Sequence, residues 1–437
     1  MTTMNDKPTK SRWYVLVMVS LMYLVTYMDR VNIAAAAPLI RQEFGFDKIA
    51  MGVIFSMFTW GYALFQVPGG WLGDRYGPRS ILASIVTYWS IMTAATAHAV
   101  GLISFSIVRF LFGVGEAGAF PTATRSMQMW FTRAERGIAQ GITHSASRLG
   151  AAISPPIVVA IMAAWGWRAV FYVFGAVGAL WSLLWYIMYR NMPEGNKGTN
   201  KAELAHIRGL DEQGNIKQLN IQKKPTVPWS VLLKHPNMWA IMFAYFTYVY
   251  CLWIFLSWLP SYLHDYRGFT LVKMGIFASL PLFAGVVGDT VGGLATDKLL
   301  AKTGKTKLAR RLVAIAGMLG TVAFILPAAI TTNAYTAVFC LTGAMFFLEC
   351  TIGPSWAVPM DVGGEYSGTV SGMMNMAGNI GGALSPTVFG ILATYMSWVA
   401  PFVVAATLLV IGACIWAFWL NPEVSVVEKG KVVVKHT

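Results

Sequence analysis

Charge is what this 437-residue chain has least of: Asp, Glu, Lys and Arg together make up 12% of it, where a soluble protein carries roughly a quarter. That shortage excludes an ordinary aqueous surface. Cysteine is also scarce. Cys251, Cys340, Cys350 and Cys414 stand apart within apolar segments, which excludes a disulfide framework and a thiolate metal spacing. No G-x-x-x-x-G-K-[ST] loop occurs, so nothing points to ATP as the energy source. Ser, His and acidic residues form no recognisable nucleophile arrangement. The sequence therefore gives no reason to expect an enzyme, a cofactor or a metal. A cleaved signal peptide is not expected either, because the first apolar stretch is too long and lacks a small-residue cleavage site.

What the chain has instead is apolar length. Hydrophobic residues make up 56% of it and the mean hydropathy is +0.57. Twelve apolar runs, at 13–40, 48–72, 79–99, 101–126, 136–163, 168–190, 238–262, 271–297, 310–331, 334–360, 367–395 and 398–420, are each long enough to cross a hydrocarbon core of about 30 Å as a helix. The expected fold class is an all-α integral membrane protein with twelve transmembrane helices in two pseudo-symmetric six-helix bundles. Residues 1–190 form the first bundle, 191–237 a polar linker, 238–421 the second bundle and 422–437 a tail. Of the 33 Lys and Arg, 24 fall in the N-terminus, the even-to-odd loops and the tail, and only five in the opposite loops. By the positive-inside rule both termini are expected to be cytoplasmic. The net charge of +14 is thus read as topological, not as a nucleic-acid footprint.

The halves repeat. "GGWLGDR" (Gly69–Arg75) and "GGLATDK" (Gly292–Lys298) share G-G-x-x-x-D-[RK], and "GIAQGITHSASRLGAAISP" (Gly137–Pro155) matches "GTVSGMMNMAGNIGGALSP" (Gly368–Pro386) at an offset of 231. Gly137, Gly141, Gly150, Ala152, Ser154 and Pro155 recur unchanged in the second copy. Glu116 and Pro121 correspond in the same way to Glu349 and Pro354. A duplicated bundle is the arrangement of transporters whose site lies near mid-membrane between repeats.

"GGWLGDRYGPR" (Gly69–Arg79) resembles the loop 2–3 signature of the major facilitator superfamily, and the helix count, repeat and linker agree with it along the whole chain. Within that superfamily, "YMDRVN" (Tyr27–Asn32) and "RFLFGVGEAGAFP" (Arg109–Pro121) resemble the anion:cation symporter family. The resemblance implies import of an organic anion with protons across a bacterial inner membrane, a sugar acid (aldonate, aldarate or uronate) being the leading class. An aromatic or short dicarboxylate is the first alternative, and a proton-driven exporter the second. The partners implied are the small organic anion, protons and the lipid bilayer, with no obligate protein partner.

Charges at bilayer depth are costly and mark functional positions. Asp29 and Arg30 are adjacent, about 100° apart on a helix, so they have different jobs. Arg30 stays protonated and offers a planar fork for a carboxylate. Asp29 and Glu116 are expected to be the proton-coupling carboxylates, with Arg109 modulating Asp29, and the resemblance supports these assignments. Tyr27 and Tyr62, with Tyr245 and Trp356 from the second half, are expected to line the cavity. Asn375 and Asn379, which match His144 and Arg148 in the repeat, offer donors and acceptors for a hydroxylated ligand.

The pattern departs from the sugar-acid branch at two places: Ser147 stands near a position where that branch has Gln, and Glu349 where an uncharged polar residue is common. Arg148 either pairs with Glu349 across the halves or binds a second carboxylate of the substrate, and the sequence leaves both readings open. Asp74, Arg75 and Arg79, with Asp297 in the second half, are expected to latch neighbouring helices as the superfamily signature implies.

Overall fold

The computed structural model describes residues 7–132, 135–210 and 229–426. Among these residues the regular structure is helical. In chain order the α-helices are α1 (Ser11–Phe44), α2 (Lys48–Tyr76), α3 (Pro78–Thr96), α4 (Leu102–Glu116), α5 (Ala119–Trp130), α6 (Arg136–Trp165), α7 (Trp167–Met188), α8 (Lys201–Arg208) and α9 (Trp229–Leu232). They continue with α10 (Pro236–Ser261), α11 (Leu271–Thr303), α12 (Thr306–Ile330), α13 (Ala334–Cys350), α14 (Ile352–Gly363), α15 (Ser367–Tyr395) and α16 (Ala400–Cys414).

Eleven helical stretches among the described residues are long and apolar enough to cross a membrane. The remaining run, expected at 79–99, is the 19-residue helix α3, which is rich in Ser and Thr. Two of its hydroxyls are absorbed within the helix: Ser90 donates to the Val86 carbonyl and Thr96 to that of Met92. Large apolar side chains face outward as well as inward, among them Phe339 at 70% and Phe418 at 85% exposure. An aqueous protein buries such residues, whereas lipid is the solvent that tolerates them.

Two runs expected to be continuous, 101–126 and 334–360, are each broken into two helices, α4–α5 and α13–α14. The breaks are equivalent. Pro121 and Pro354 each occupy the third position of the second helix, where a missing N–H costs nothing because the first-turn donors have no intrahelical acceptor. Glu116 closes α4 and Glu349 is the penultimate residue of α13, so both carboxylates lie at a discontinuity of the backbone.

The chain forms two compact units. One comprises residues 1–30, 61–151 and 165–222, the other 31–60, 152–164 and 223–437. In the first, α3 packs along α7, and α6 meets α1 where Gly150 touches the Leu24 carbonyl region. In the second, α10 packs on α15 and α11 on α13. Gly381, the repeat counterpart of Gly150, meets the Phe246 carbonyl of α10. Small residues at the two equivalent crossings let backbones touch, which is how helices associate where no hydrophobic gain separates helix from lipid.

The linker is partly helical. In α8, Asn200 caps the first turn by accepting from the Glu203 N–H at 2.9 Å. Glu203 itself is fully buried. It accepts from the Thr9 hydroxyl, from the Ser11 and Arg12 N–H groups at 3.1 Å, and from Arg12 Nη1 at 3.1 Å. The N-terminal segment is thereby fastened to the linker helix within the first unit.

Candidate functional site

In the first unit the charges expected at bilayer depth are buried: Asp29 and Glu116 are 0% exposed, Arg109 3%, Arg148 6% and Arg30 8%. Arg30 pairs with Glu116, its Nε donating to Oε1 and its Nη2 in ion-pair contact with the same oxygen. The Arg30 guanidinium carbon lies 4.7 Å from the Tyr27 ring centroid, 4.8 Å from that of Tyr62 and 5.3 Å from that of Phe120. Three aromatic faces thus surround the cation, an arrangement that offsets part of its desolvation. Glu116 Oε2 is buried with no hydrogen-bond partner among the described residues.

Asp29 is offset from Arg30 by about 100° around α1. The charges that act on it are those of Glu116 and Arg109, and Arg109 lies over the Phe112 ring at 4.7 Å. The two acids and two bases of α1 and α4 therefore form one electrostatically linked group. From α6, Arg148 approaches Tyr27 at 5.6 Å from the ring centroid. Ser147 turns its hydroxyl back to the His144 carbonyl at 2.6 Å. The His144 ring sits edge-on to Tyr23 at 5.8 Å.

The second unit gathers the other expected residues. Trp356 Nε1 donates to the Tyr245 hydroxyl at 3.1 Å, and Tyr245 stacks on Tyr248 at 5.4 Å. The Tyr248 hydroxyl donates to Glu349 Oε2 at 3.1 Å. Asn379 is 8% exposed and Asn375 is half-buried, both on α15. The neighbouring Gly378 lies so close to the Tyr245 ring that an added Cβ would sit 2.6 Å from Cδ1.

Of the expected latch residues, Arg79 donates from Nε to the Tyr186 carbonyl at 2.9 Å and its backbone N–H to Asn191 Oδ1 at 2.8 Å, both at the end of α7. Arg75 lies over the Trp71 and Tyr76 rings. The Asp74 side chain falls outside the described part of the structure. In the second half, Asp297 meets Arg310 Nη1 at 3.5 Å, and Arg310 Nε donates to Asp361 at 3.0 Å.

The sequence profile described as Major Facilitator Superfamily matches residues 19–386. The chain belongs to the major facilitator superfamily. It is 42% identical over 418 residues to a probable sulfoacetate transporter of Cupriavidus necator, covering 95% of each chain. It is 33% identical over 412 residues to a D-galactonate transporter of Escherichia coli, covering 93% of this chain and 95% of the relative. A solved structure of a bacterial homolog to the human lysosomal transporter Spinster superposes with a TM-score of 0.75 at 19% identity, over 93% of this chain and 96% of that one. That likeness is one of fold. As a major facilitator protein the chain belongs with transporters and not with enzymes.

Several residues of this superfamily member were not singled out from sequence. Phe120 completes the aromatic surround of Arg30, and its signal was its place inside the helix-4 motif. Tyr248 lies three residues after Tyr245, hence on the same helix face. Asp361 meets Arg310, the partner of Asp297, from far along the chain, which motif spacing alone could not reach.

Proposed function

We propose that this chain is a secondary transporter that imports an organic anion together with protons by alternating access, in a bacterial inner membrane. In this reading α3 is the twelfth span and both termini are cytoplasmic. Residues 1–190 and 238–421 are the two rocking bundles, 191–237 the linker and 422–437 the tail. Arg30 docks the anion, Glu116 and Asp29 carry the protons, Arg109 tunes Asp29, and Tyr27 and Tyr62 line the anchor. Tyr245, Trp356, Asn375 and Asn379 receive the rest of the substrate, with Ser147 and Arg148 on α6. Asp74, Arg75, Arg79, Asp297 and Glu349 serve gating.

The observation that carries the reading is the buried Arg30–Glu116 pair. Arg30 has one fork, and Glu116 already occupies it. A substrate carboxylate competes for the same donors, so protonating Glu116 favours anion binding. By linkage, anion binding equally favours protonation. Mutual stabilisation of proton and anion on one side of a membrane is the thermodynamic content of symport. The anionic cargo is further supported by the sulfoacetate and D-galactonate names of the relatives. The second of these favours a sugar acid, whereas the more similar first favours a smaller acid.

The full-length protein in liposomes provides the test. An inward proton gradient without sodium should drive accumulation of a labelled organic acid, read with sulfoacetate and galactonate as first probes. Accumulation that needs sodium and ignores the proton gradient would overturn the proton assignment. Absence of counterflow for every organic acid would overturn the anion assignment.

A further inference from the structure

We infer that the turn joining α11 to α12 is a binding site for an anionic phospholipid, with the headgroup phosphate on Lys298, Lys302 and Lys305 and the acyl chains along the outer faces of the two helices. The starting point is "KLLAKTGKTKLARR" (Lys298–Arg311), a basic run that the second latch uses only in part. Its two arginines are engaged inside the unit. Arg310 meets Asp297 at 3.5 Å and Asp361 at 3.0 Å, and Arg311 donates to the Ala417 and Leu420 carbonyls at 2.7 and 2.6 Å. Lys307 is half-buried, with its backbone N–H on Glu423 Oε1 at 3.1 Å. Lys298, Lys302 and Lys305 are different. All three are exposed, and their ammonium groups make no ion pair or hydrogen bond among the described residues.

The side chains in line with these lysines identify what they face. On α11, exposed apolar residues recur at Ile276, Leu280, Phe283, Val287, Val291 and Leu294, the three- and four-residue spacing of one helix face. Lys298 and Lys302 continue that line at the same spacing. From Ile276 to Leu294 it covers about 27 Å at the rise of a helix, close to the thickness of a hydrocarbon core of about 30 Å. The next helix repeats the arrangement, with Lys305 followed by exposed Leu308, Leu312 and Leu319. Gly304, at φ 66°, closes α11, so that α12 begins only two residues later at Thr306. Two outward apolar lines therefore end at one turn, and each ends in lysine.

An exposed apolar line as long as the bilayer is thick has lipid chains for its solvent, and a cation one turn beyond it stands at headgroup depth. A soluble anion would satisfy the three charges and leave the apolar lines unused. An anionic phospholipid uses both, its phosphate on the ammonium groups and its chains beside Leu294, Leu308 and Leu312. A lipid held by both helices ties α11 to α12 next to Asp297 and Arg310, the residues of the second latch. The inference does not depend on which cargo is carried or on its coupling ion.

The test uses full-length protein. Native mass spectrometry would compare the dissociation constants of phosphatidylglycerol and phosphatidylcholine. Each lysine beside an anionic headgroup contributes roughly a fivefold preference, so three should favour phosphatidylglycerol by about a hundredfold at low salt, and less as salt is added. Lys298→Gln, Lys302→Gln and Lys305→Gln combined should bring the preference below about fivefold. Lys7→Gln with Lys10→Gln, which removes two exposed charges elsewhere, should leave it unchanged. In nanodiscs of the unaltered protein, the amides of residues 298–308 should exchange more slowly in phosphatidylglycerol than in phosphatidylcholine.

An undiminished preference in a folded triple variant would sink the inference. An equal loss in the Lys7 and Lys10 control would do the same, because it would make the effect one of overall charge. Equal exchange of the 298–308 amides in the two lipids would overturn it without any variant. Equal protection of those amides by inorganic phosphate would make the turn a site for soluble anions and refute the lipid assignment.

Discussion

Arg30 directs two guanidinium nitrogens at a single oxygen of Glu116, with Nε donating to Oε1 and Nη2 in contact with it, while Oε2 has no hydrogen-bond partner among the described residues. The pair is buried, and breaking such a pair by removing one charge is far more disruptive than its net worth to the fold. Under the proposed coupling, Glu116→Gln keeps the shape and mimics the protonated acid permanently. We expect this variant to exchange labelled acid across the membrane at a measurable rate with no dependence on pH, and to lose accumulation driven by a proton gradient. Uptake and counterflow in liposomes, measured side by side, check both halves. Gradient-driven accumulation at the wild-type level in this variant would rule Glu116 out as a proton carrier.

The helix crossings yield a second prediction. A Cβ on Gly150 would stand 2.2 Å from the Leu24 carbonyl oxygen, and one on Gly381 would stand 2.7 Å from that of Phe246. Both contacts are with backbone, which cannot rotate out of the way. Gly150→Ala and Gly381→Ala should each destabilise by about 1–3 kcal/mol, the usual cost of overpacking, with Gly150→Ala the worse. Thermal melts of the detergent-solubilised variants give the ranking.

These two glycines show how much was legible beforehand. Their equivalence was readable from the 231-residue offset because a backbone crossing constrains residue type directly: only a very small side chain fits. Most of the spans were readable for a similar reason, since bilayer thickness dictates run length: eleven of the twelve expected runs coincide with helices long and apolar enough to cross a membrane among the described residues. Asp29, Arg30, Arg109 and Glu116 stood out because charge is costly in hydrocarbon. The pairing of Arg30 with Glu116 was not readable, because it depends on the rotation and depth of α1 against α4. The breaks at Ala117–Gly118 and Thr351 were half-visible: the Glu-to-Pro spacing was noted as a repeat, but hydropathy runs through a helix break without changing. The partnership of Arg310 with Asp297 and Asp361 joins three helices, and such contacts leave no local pattern.

The linker clamp can be broken at one atom group. Glu203 is fully buried and takes donors from Thr9, Ser11 and Arg12. Removing the carboxylate leaves Arg12 Nη1, the Thr9 hydroxyl and two backbone N–H groups without this acceptor, while Arg12 Nη2 keeps Glu135. Glu203→Ala should therefore lower the stability of the first unit by about 3 kcal/mol, the scale set by deleting one partner of a buried ion pair. Glu203→Gln, which keeps an acceptor oxygen, should cost less. Limited proteolysis near residues 7–12 and 196–210 should speed up in the same order, and equal rates in all three proteins would mean that the clamp does not hold the segment.

Acid should loosen the same region through Glu135. This carboxylate sits between α5 and α6, outside the spans, with His206 Nε2 at 3.1 Å, the Thr132 hydroxyl at 3.0 Å and Arg12 Nη2 at 3.3 Å. Burial alone would push its pKa up, but the hydrogen bonds from His206 and Thr132 and the Arg12 charge outweigh it, holding the group below its ordinary 4.5. Glu194, forked by Arg208 at 2.8 and 3.1 Å, is likewise held below 4.5, again against the opposing effect of burial. A depressed carboxylate contributes stability that is present in full above its unfolded value, and loses it as pH falls through the folded one. The docking of α8 and the N-terminal segment should therefore weaken below about pH 4.5. Glu135→Gln combined with Glu194→Gln should flatten that acid limb, because the groups that take up the protons are gone. Hydrogen exchange of the 198–208 amides as a function of pH, with wild type and double variant in parallel, measures the difference, and an acid limb of equal depth in both would locate the responsible carboxylates elsewhere.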